Sequence, residues 1–426
     1  MACMPVRTMM NVLILLAGLF LYAGYGIWGL VWLLSATGIS YLLGRLIPKW
    51  KGAMILGVIA QGLILVLLKL QPVTGMELLA PMGVSYFSLQ IISYLVDVYR
   101  EKIQPERNIL RYSLYITYFP HLSIGPIESY QNMQLALSQR KFTWDGISMG
   151  FARVLWGLFK KLVIASRAGV IVSAIAADTA AYQGGYALLA MVLYSLQLYT
   201  DFSGGIDVVL GASQMLGIRL SENFDRPYFS ESVQEFWRRW HITLGTWLKN
   251  YVYIPLGGNR KGTLRKGINF IITFLVSGLW HGIHYLVWGL LNGIFVLVGE
   301  RLKTPVKILN RIGTFLVISF LWCFFVWPDT LTAAQSALSV FTQFNYADVA
   351  ANIGSLGLTL VDWIVMLSAG GILWLYDWKH LAVQNRFAKA QPATRLALIG
   401  LLGLVVMVFG MYGIGFEASG FIYGGF

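Results

Sequence analysis

The sequence predicts an all-α integral membrane protein, a polytopic bundle of about ten to eleven membrane helices with additional re-entrant or interfacial helices. Two observations support this fold class. Of 426 residues, 57% are hydrophobic and only 12% are charged, more apolar surface than a soluble domain could keep from water. Uncharged stretches also follow one another without a polar stretch of domain size. We therefore expect residues 1–426 to form a single membrane domain.

The uncharged stretches locate the helices, because roughly 20 apolar residues are needed to cross the hydrocarbon. The longest stretch, residues 8–44, has room for two helices with a turn at residues 24–26. The others are residues 52–68, 78–96, 112–127, 179–200, 267–299, 312–328, 363–376 and 396–416. Proline and glycine interrupt 112–127, which predicts a re-entrant or tilted segment. Residues 345–360 are mixed in character and predict an external loop or half-helix.

A basic segment follows in the second half of the chain. Residues 236–299 contain no Asp or Glu, and the positive-inside rule places their basic part on the cytoplasmic side. These residues either set topology and touch anionic lipids, or form a docking surface for the phosphates of a cytoplasmic cofactor. No nucleic-acid-binding module is recognisable, so nucleic acid is not an expected partner. The basic residues are Arg238, Arg239, Lys249, Arg260, Lys261, Arg265 and Lys266.

The first part of this segment, residues 236–250, mixes large aromatic and charged side chains. The spacing of its apolar residues predicts one continuous interfacial helix with a single apolar face. That face comprises Trp237, Trp240, Leu244, Trp247 and Leu248. The Gly-rich basic turn at 254–262 lacks the spacing and the strand-to-helix context of a phosphate-binding loop, so it does not by itself predict a nucleotide site.

Histidines are the candidates for chemistry. His281 lies near the middle of the uncharged stretch 267–299. An ionisable residue inside a membrane span costs free energy, so its presence there indicates a functional role. With no charged neighbour in sequence, its imidazole should be neutral and able to accept a proton from a hydroxyl or thiol. His241 lies 40 residues upstream; a purely structural role is the alternative for both. A metal site built with His284 is disfavoured because the region offers no acidic or Cys ligand, so no metal is predicted.

The chain resembles the membrane-bound O-acyltransferases, in particular their bacterial branch that acts in alginate O-acetylation. The resemblance covers about residues 10–300 and rests on an ordered set of blocks. These are PMGVSYF at 81–87, YLVDVYR at 94–100, FPH at 119–121, GPI at 125–127, GLFKK at 157–161, YTDFSG at 199–204, ENFDRPY at 222–228, FWRRWH at 236–241, the turn at 254–262 and GLWHG at 278–282. The family's invariant histidine is carried onto His281 and its second conserved polar position onto His241.

This resemblance implies a helical bundle around a tunnel in the bacterial cytoplasmic membrane. The implied enzyme is an acyltransferase that moves an acyl group, expected to be acetyl, from cytoplasmic acetyl-CoA to an extracytoplasmic acceptor or O-acetyltransferase partner protein, for cell-surface polysaccharide O-acetylation. His281 would act as general base or proton shuttle, with an acyl-histidine as the alternative. His241 and Trp240 would orient the donor, and no permanently bound cofactor is implied. The donor rim would comprise Arg238, Arg239, Lys249, Arg260 and Lys261.

Other functions remain open at this point. One is D-alanyl transfer to teichoic acid from a carrier protein. Another is a transporter with His281 as proton relay, against which the sequence has no internal repeat and no paired intramembrane acid. A third is a scaffold that recruits an exported enzyme. The chain also departs from the family: it begins near the second family helix, which predicts a missing N-terminal span, it carries His284 where a smaller residue is usual, and beyond about residue 305 it matches only as generic membrane helix.

Overall fold

The computed structural model describes residues 3–75, 80–122, 124–327 and 329–412. Within these residues the chain is helical, and one isolated antiparallel bridge between Phe224 and Trp240 is the sole β-type pairing. The all-α prediction is therefore confirmed. The described chain falls into two compact units, one built from residues up to 142 together with 216–221, the other from 143–215 and from residue 222 onward.

The first unit contains six helices. The predicted pair within 8–44 is confirmed, and its turn places Gly26 at φ +126°, a conformation that favours glycine. The stretch 112–127 is not a straight span, because α5 ends at Thr117 and Pro120 lies in a short 3₁₀ turn. Residues 78 and 79 of the predicted stretch 78–96 lie outside the described residues. The helices are α1 (Cys3–Ala23), α2 (Ile27–Leu46), α3 (Gly52–Thr74), α4 (Val84–Tyr99), α5 (Ile109–Thr117) and α6 (Tyr130–Ser138).

Tyrosines form the centre of the first unit. The ring of Tyr94 lies 4.7 Å from that of Tyr112 and 5.2 Å from that of Tyr130, centroid to centroid. Tyr115 meets Tyr130 edge-on at 5.3 Å. Buried phenols need polar partners, and the Tyr112 hydroxyl donates to Ser40 Oγ at 2.7 Å. The cluster thus packs α4, α5 and α6 together and links α5 to α2.

The second unit holds the remaining thirteen helices of the described chain. A π-helical segment, Phe159–Ala165, joins α7 to α8 without a break. The uncharged-stretch criterion missed this pair because it carries charges such as Lys160, which is buried and forms an ion pair with Asp207 at 2.6 Å. The helices are α7 (Trp144–Leu158), α8 (Ser166–Ala177), α9 (Gly185–Met215), α10 (Val233–Arg239), α11 (Ile242–Leu248), α12 (Gly262–His281), α13 (Leu286–Gly299), α14 (Lys307–Leu321), α15 (Cys323–Val326), α16 (Thr330–Thr342), α17 (Tyr346–Asn352), α18 (Leu360–Lys389) and α19 (Pro392–Phe409).

The uncharged stretch 267–299 forms a pair of helices, α12 and α13, that meet at a turn. Gly282 has φ +151° and ends α12. His281 is therefore the last residue of α12, at the turn between two helices rather than midway along one. Small residues let the two helices approach closely, since a Cβ on Gly289 would overlap the Phe274 carbonyl oxygen.

Among the described residues, five helices are long and apolar enough to cross a bilayer, fewer than the ten to eleven expected. The helix α9 is not among these five, although its 31 residues span about 46 Å. The half-helix expected within 345–360 is present as α17. Residues 328 and 413–416 of the last predicted stretches lie outside the described residues. The five candidates are Ile27–Leu46, Gly52–Gln71, Lys307–Val326, Leu360–Lys389 and Pro392–Phe409.

The packing of α12 on α13 gives a first prediction. Gly289→Ala should destabilise the protein by about 1–3 kcal/mol, because the new methyl group overlaps backbone that cannot move freely. Gly313→Ala on α14 is the matched control: an added Cβ there meets nothing within 4 Å, so the higher helix propensity of alanine should leave stability unchanged or slightly raised. Thermal unfolding in detergent measures both. Equal melting temperatures would contradict close packing at Gly289.

Candidate active site

The predicted continuous helix across residues 236–250 is wrong: the chain breaks at Trp240 and His241. Trp240 is extended, and His241 has φ +46°, one of three positive φ values among the described non-glycine residues. A strand-like pairing enforces the break, because the Asp225 N–H donates to the Arg239 carbonyl at 2.9 Å and the Ile242 N–H donates to the Asn223 carbonyl at 3.0 Å. Strained backbone of this kind costs on the order of 1–3 kcal/mol and is concentrated at functional sites.

Asn223 fixes the protonation of His241. Its Oδ1 accepts from the Thr243 backbone N–H at 3.0 Å and lies 3.2 Å from His241 Nδ1. Because an amide oxygen only accepts, Nδ1 carries the proton and Nε2 is left as an acceptor. His241 Nε2 is buried and has no hydrogen-bond partner among the described residues. Burial also lowers the pKa of His241 to about 3, so the ring stays neutral. The result is a neutral imidazole with an unused acceptor nitrogen.

Aromatic rings surround His281, which is itself buried. Ring-centroid distances are 4.8 Å to Trp280, 5.6 Å to Trp288, 5.5 Å to Phe325 and 6.1 Å to Tyr285. Tyr285 and Phe325 stack on each other at 4.2 Å. These rings give His281 an apolar environment from which water is largely excluded.

Trp280 connects the two predicted histidines. Its ring lies 4.8 Å from that of His281 and 6.3 Å from that of His241. The structure thus brings together two residues that are 40 positions apart in sequence. His284 does not join them on one helical face, because Gly282 interrupts the helix, and its side chain is exposed.

Trp240 is buried in the same aromatic cluster, next to His241. Its indole is only 2% exposed, so a donor can meet it only through the rings around it. The Phe202 ring contacts both residues, at 6.4 Å from Trp240 and 4.9 Å from His241. The other ring neighbours of Trp240 are Tyr199, Phe224, Tyr228, Phe236 and Trp322.

The predicted donor rim is spread over two places. Arg238 and Arg239 end α10, next to Trp240, and Arg239 forms an ion pair with Glu235 at 2.6 Å. Lys249 is exposed beyond the end of α11. Arg260 and Lys261 are exposed in the turn before α12, one helix of 20 residues, about 30 Å, from His281. Of the rim residues, Arg238 and Arg239 on α10 are therefore the nearest in the chain to Trp240 and His241.

The two ends of the α12, α13 and α14 group differ in charge. The end at His281 has Asp329 as the one Asp, Glu, Lys or Arg among the described residues of 282–285 and 322–330. A cavity of about 180 Å³ opens there, lined in part by Tyr285, Phe325 and Asp329. Hydrogen bonds from Thr332 hold the pKa of Asp329 below its usual range, so it is ionised. The opposite end carries Arg260, Lys261, Arg265, Lys266, Arg301, Lys303 and Lys307.

A second cavity was not predicted from the sequence. It measures about 380 Å³, lies between α7, α9 and α18, and reaches the aromatic cluster at Tyr199 and Phe224. Its polar residues come from segments far apart in sequence: Lys160 lies in the GLFKK block and Asp225 in the ENFDRPY block, whereas Asp207 and Asp377 lie in none of the blocks. The blocks were therefore an available signal, but they do not by themselves show that their residues line one cavity.

The fold and the site define a membrane protein with two buried histidines inside a helical bundle, and Nε2 of His241 is left as a hydrogen-bond acceptor. The membrane-bound O-acyltransferase family model matches residues 20–353, past the residue-305 limit of the resemblance. The chain belongs to this family, and it is an acyltransferase.

Named relatives agree with this assignment. A probable alginate O-acetylase of Pseudomonas fluorescens is 35% identical over 414 residues, covering 92% of this chain and 82% of the relative. A peptidoglycan O-acetyltransferase of Helicobacter pylori is 34% identical over 287 residues, 59% of this chain and 54% of the relative. A teichoic acid D-alanyltransferase of Streptococcus thermophilus is 26% identical over 267 residues, 58% and 64% respectively.

The left-handed backbone of His241 gives a second prediction, on stability. His241→Gly and His241→Asn should be more stable than His241→Ala by about 1 kcal/mol, because glycine and asparagine tolerate this conformation and alanine does not. His284 is the control, since it is not among the residues with positive φ. There the order should reverse, with His284→Ala more stable than His284→Gly. Thermal unfolding in detergent gives both orders, and an alanine variant at 241 as stable as the glycine variant would argue against strain.

Proposed function

We propose that this acyltransferase moves an acyl group, expected to be acetyl, from a cytoplasmic acyl-CoA to an extracytoplasmic acceptor hydroxyl or partner O-acetyltransferase during O-acetylation of a cell-surface polysaccharide. The observation that carries the proposal is the joining of His281 and His241 through Trp280, at the end of α12 that lies opposite its basic end. The relatives named for alginate and peptidoglycan O-acetylation support the acetyl group and the class of acceptor.

In the proposed mechanism His281 is the general base. It takes the proton of the acceptor hydroxyl while the oxygen attacks the thioester carbonyl, and it returns that proton to the thiolate as the C–S bond breaks. His241 would orient the donor by accepting a hydrogen bond at Nε2, a role that suits its fixed tautomer. The aromatic rings keep out water, the competing nucleophile.

The distribution of charge supports the proposed direction of transfer. The positive-inside rule favours a cytoplasmic location for the end that carries seven Lys and Arg residues, and hence an extracytoplasmic location for the cavity beside Tyr285 and Phe325. We therefore propose the bacterial cytoplasmic membrane as the location, with the donor and the acceptor approaching His281 from opposite faces.

A third prediction concerns His281. His281→Ala should slow thioester turnover by roughly 10²–10⁴-fold while donor binding persists. The variant loses general-base assistance but keeps the residues that bind the donor. Acetyl-CoA hydrolysis and equilibrium binding by purified protein measure the two effects. Ile268→Ala, on the same helix, 40% exposed and lining neither cavity, should keep its activity. The melting temperature of the variant must match that of the wild type. A well-folded His281→Ala protein with near wild-type turnover would contradict the assignment of His281 as general base.

A fourth prediction concerns the turn before α12. Reversing Arg260 and Lys261 to Glu should raise the donor KM if this turn attracts the phosphates, and more so at low salt, because screening weakens exposed charges as ionic strength rises. The matched control reverses Lys303 and Lys307, exposed residues at the same end of the helices. It changes the net charge equally and should leave KM unchanged. If both double variants bind the donor with equal affinity at low salt, the turn is not part of the donor site.

The D-alanyl relative supplies a second candidate reaction, since its named activity belongs to the same family. The two reactions differ in their donor. Turnover that requires an aminoacylated carrier protein and is insensitive to acetyl-CoA would favour D-alanyl transfer. Consumption of acetyl-CoA with acetylation of a co-purified extracytoplasmic protein or cell-surface polymer would favour O-acetylation, and substrate movement with no thioester consumption would favour a conduit.

A further inference from the structure

We propose that a groove of about 470 Å³ between α7, α18 and α19 binds an anionic phospholipid, with one acyl chain in the groove and the phosphate at Arg386 and Lys389. The ligand comes from the surrounding membrane, so the inference does not depend on the proposed acyl transfer. The volume of the groove lies in the range of about 300–1,000 Å³ typical of ligand pockets.

Three helices supply the apolar wall of the groove. Residues three or four positions apart lie on the same face of a helix, and each of the three helices contributes such a pair. Three apolar faces therefore meet along one line, and this arrangement suits a hydrocarbon chain better than a polar ligand. The pairs are Met149 and Ala152 on α7, Val383 and Phe387 on α18, and Leu398 and Leu402 on α19.

The groove opens toward the bilayer. Two of its helices, α18 and α19, are long and apolar enough to cross a membrane. On these helices Val383 and Leu398 line the groove and are still 41% and 46% exposed. The medium next to such helices is hydrocarbon, and lipid tails are as apolar as leucine side chains. An acyl chain is therefore the occupant that the surroundings supply.

The length of the groove matches one leaflet. It follows α18 from Phe387 to Tyr376, a helical rise of about 16 Å. This is about half of the roughly 30 Å hydrocarbon core of a bilayer. At the Tyr376 end, the ring of Trp156 on α7 lies 4.5 Å from the Tyr376 ring, centroid to centroid, and both rings line the groove. The groove thus has room for one acyl chain of one leaflet.

Arg395 holds the three helices together at the Phe387 end of the groove. This residue is buried in the first turn of α19. Its guanidinium donates to Asp145 Oδ1 on α7 at 2.6 Å and to the Ala388 carbonyl on α18 at 2.7 Å. The guanidinium carbon also lies 5.9 Å from the centre of the Phe387 ring. The entrance to the groove is therefore built by specific contacts between all three helices.

The charge at this end selects an anionic head group. Arg386 and Lys389 are exposed in the last turn of α18, on either side of Phe387 in sequence. The described residues 378–412 carry four Lys and Arg residues and no Asp or Glu. The positive-inside rule favours a cytoplasmic location for this end, and the cytoplasmic leaflet is the one with a negative surface potential. Lys and Arg side chains also bind phosphate oxygens through charge-assisted hydrogen bonds.

Paired charges separate the groove from the 380 Å³ cavity. Arg153, Asp207 and Glu222 line both spaces. Arg153 forms ion pairs with Asp207 at 2.9 Å and with Glu222 at 2.6 Å, so this shared wall is already neutralised from within. The phosphate is therefore expected at Arg386 and Lys389 rather than at Arg153, and the acyl chain on the side of the wall that faces α19.

The first test reverses the charge at the head group. Native mass spectrometry of full-length protein, released from detergent with added phospholipid, gives the Kd of the first lipid bound. Arg386→Glu combined with Lys389→Glu should raise the Kd for phosphatidylglycerol tenfold or more. The Kd for phosphatidylcholine with the same acyl chains should change by less than twofold, because its head group has no net charge. The matched control combines Lys303→Glu with Lys307→Glu, which changes the net charge equally and should leave both Kd values within twofold.

The second test fills the groove. Val383→Trp should raise the Kd for phosphatidylglycerol tenfold or more, because the indole takes the space of the acyl chain. Leu381→Trp is the matched control, since Leu381 is on the same helix, 63% exposed and does not line the groove. It should change the Kd by less than twofold. Leu402→Trp, deeper in the groove, is a second filling variant if Val383→Trp does not fold.

Further outcomes identify the occupant. Glycerol 1-phosphate, which has the phosphate without acyl chains, should not displace phosphatidylglycerol, and displacement would overturn the acyl-chain site. Equal Kd values for phosphatidylglycerol and phosphatidylcholine in the wild-type protein would overturn the selection of an anionic head group. Folded Val383→Trp and Leu402→Trp proteins with unchanged Kd would overturn the groove as the binding site. A lipid-free dimer that Val383→Trp abolishes would assign the groove to a second copy of the chain and also overturn the proposal.

Discussion

The pairing of residues 223–225 with 239–242 is the constraint on which the site depends. Without its two backbone hydrogen bonds, α10 and α11 would merge into one helix, as the sequence pattern predicts. Trp240 and His241 would then lie on different faces, about 100° apart around the helix axis. The pairing instead turns Trp240 into the aromatic cluster and forces His241 into a left-handed conformation. Asn223 contributes to both the chain break and the orientation of His241. Its backbone carbonyl accepts a hydrogen bond from the Ile242 N–H, and its side-chain oxygen accepts one from His241 Nδ1.

Ion pairs inside the second unit also help to position the site. An isolated charge at membrane depth is expensive, and a paired one is much less so. Lys160 and Arg153 both meet Asp207, and Arg153 extends to Glu222 with two hydrogen bonds of 2.8 and 2.6 Å. These bonds tie α7 to α9 and to the segment that precedes Asn223. The charged network is thus part of what positions the strand-like pairing.

Much of the fold could be predicted, because membrane helices are defined by a one-dimensional property, the length of an uncharged run. The pair at 8–44 follows from that property, and so does the broken segment near Pro120. The helices α7 and α8 could not be found this way, since Lys160 becomes acceptable only through Asp207, 47 residues away. His281 and His241 were found by rarity and by resemblance, and the basic residues of α10 by their charge.

The remaining features of the site depend on three-dimensional contacts that no local pattern records. The break at Trp240 requires a partner strand, the tautomer of His241 requires Asn223, and the cavity at Asp377 requires four separate segments of chain. Each of these features arises from contacts between segments that are distant in sequence, so the local sequence pattern does not reveal it. The length of an uncharged run was therefore a good guide to α12, and helix periodicity was a poor guide to residues 236–250.

The stacked pair of Tyr285 and Phe325 has a consequence for the fidelity of the enzyme. Both rings contact His281 on one side and line the 180 Å³ cavity on the other, so they form a partition between His281, the proposed base, and the exterior. An acceptor that arrives through this cavity must displace an aromatic ring before its hydroxyl can meet the imidazole. A water molecule faces the same barrier and brings no binding energy with which to move it. Loss of activated acyl groups to the medium would thus be limited by how tightly two side chains stack, rather than by the intrinsic reactivity of the thioester.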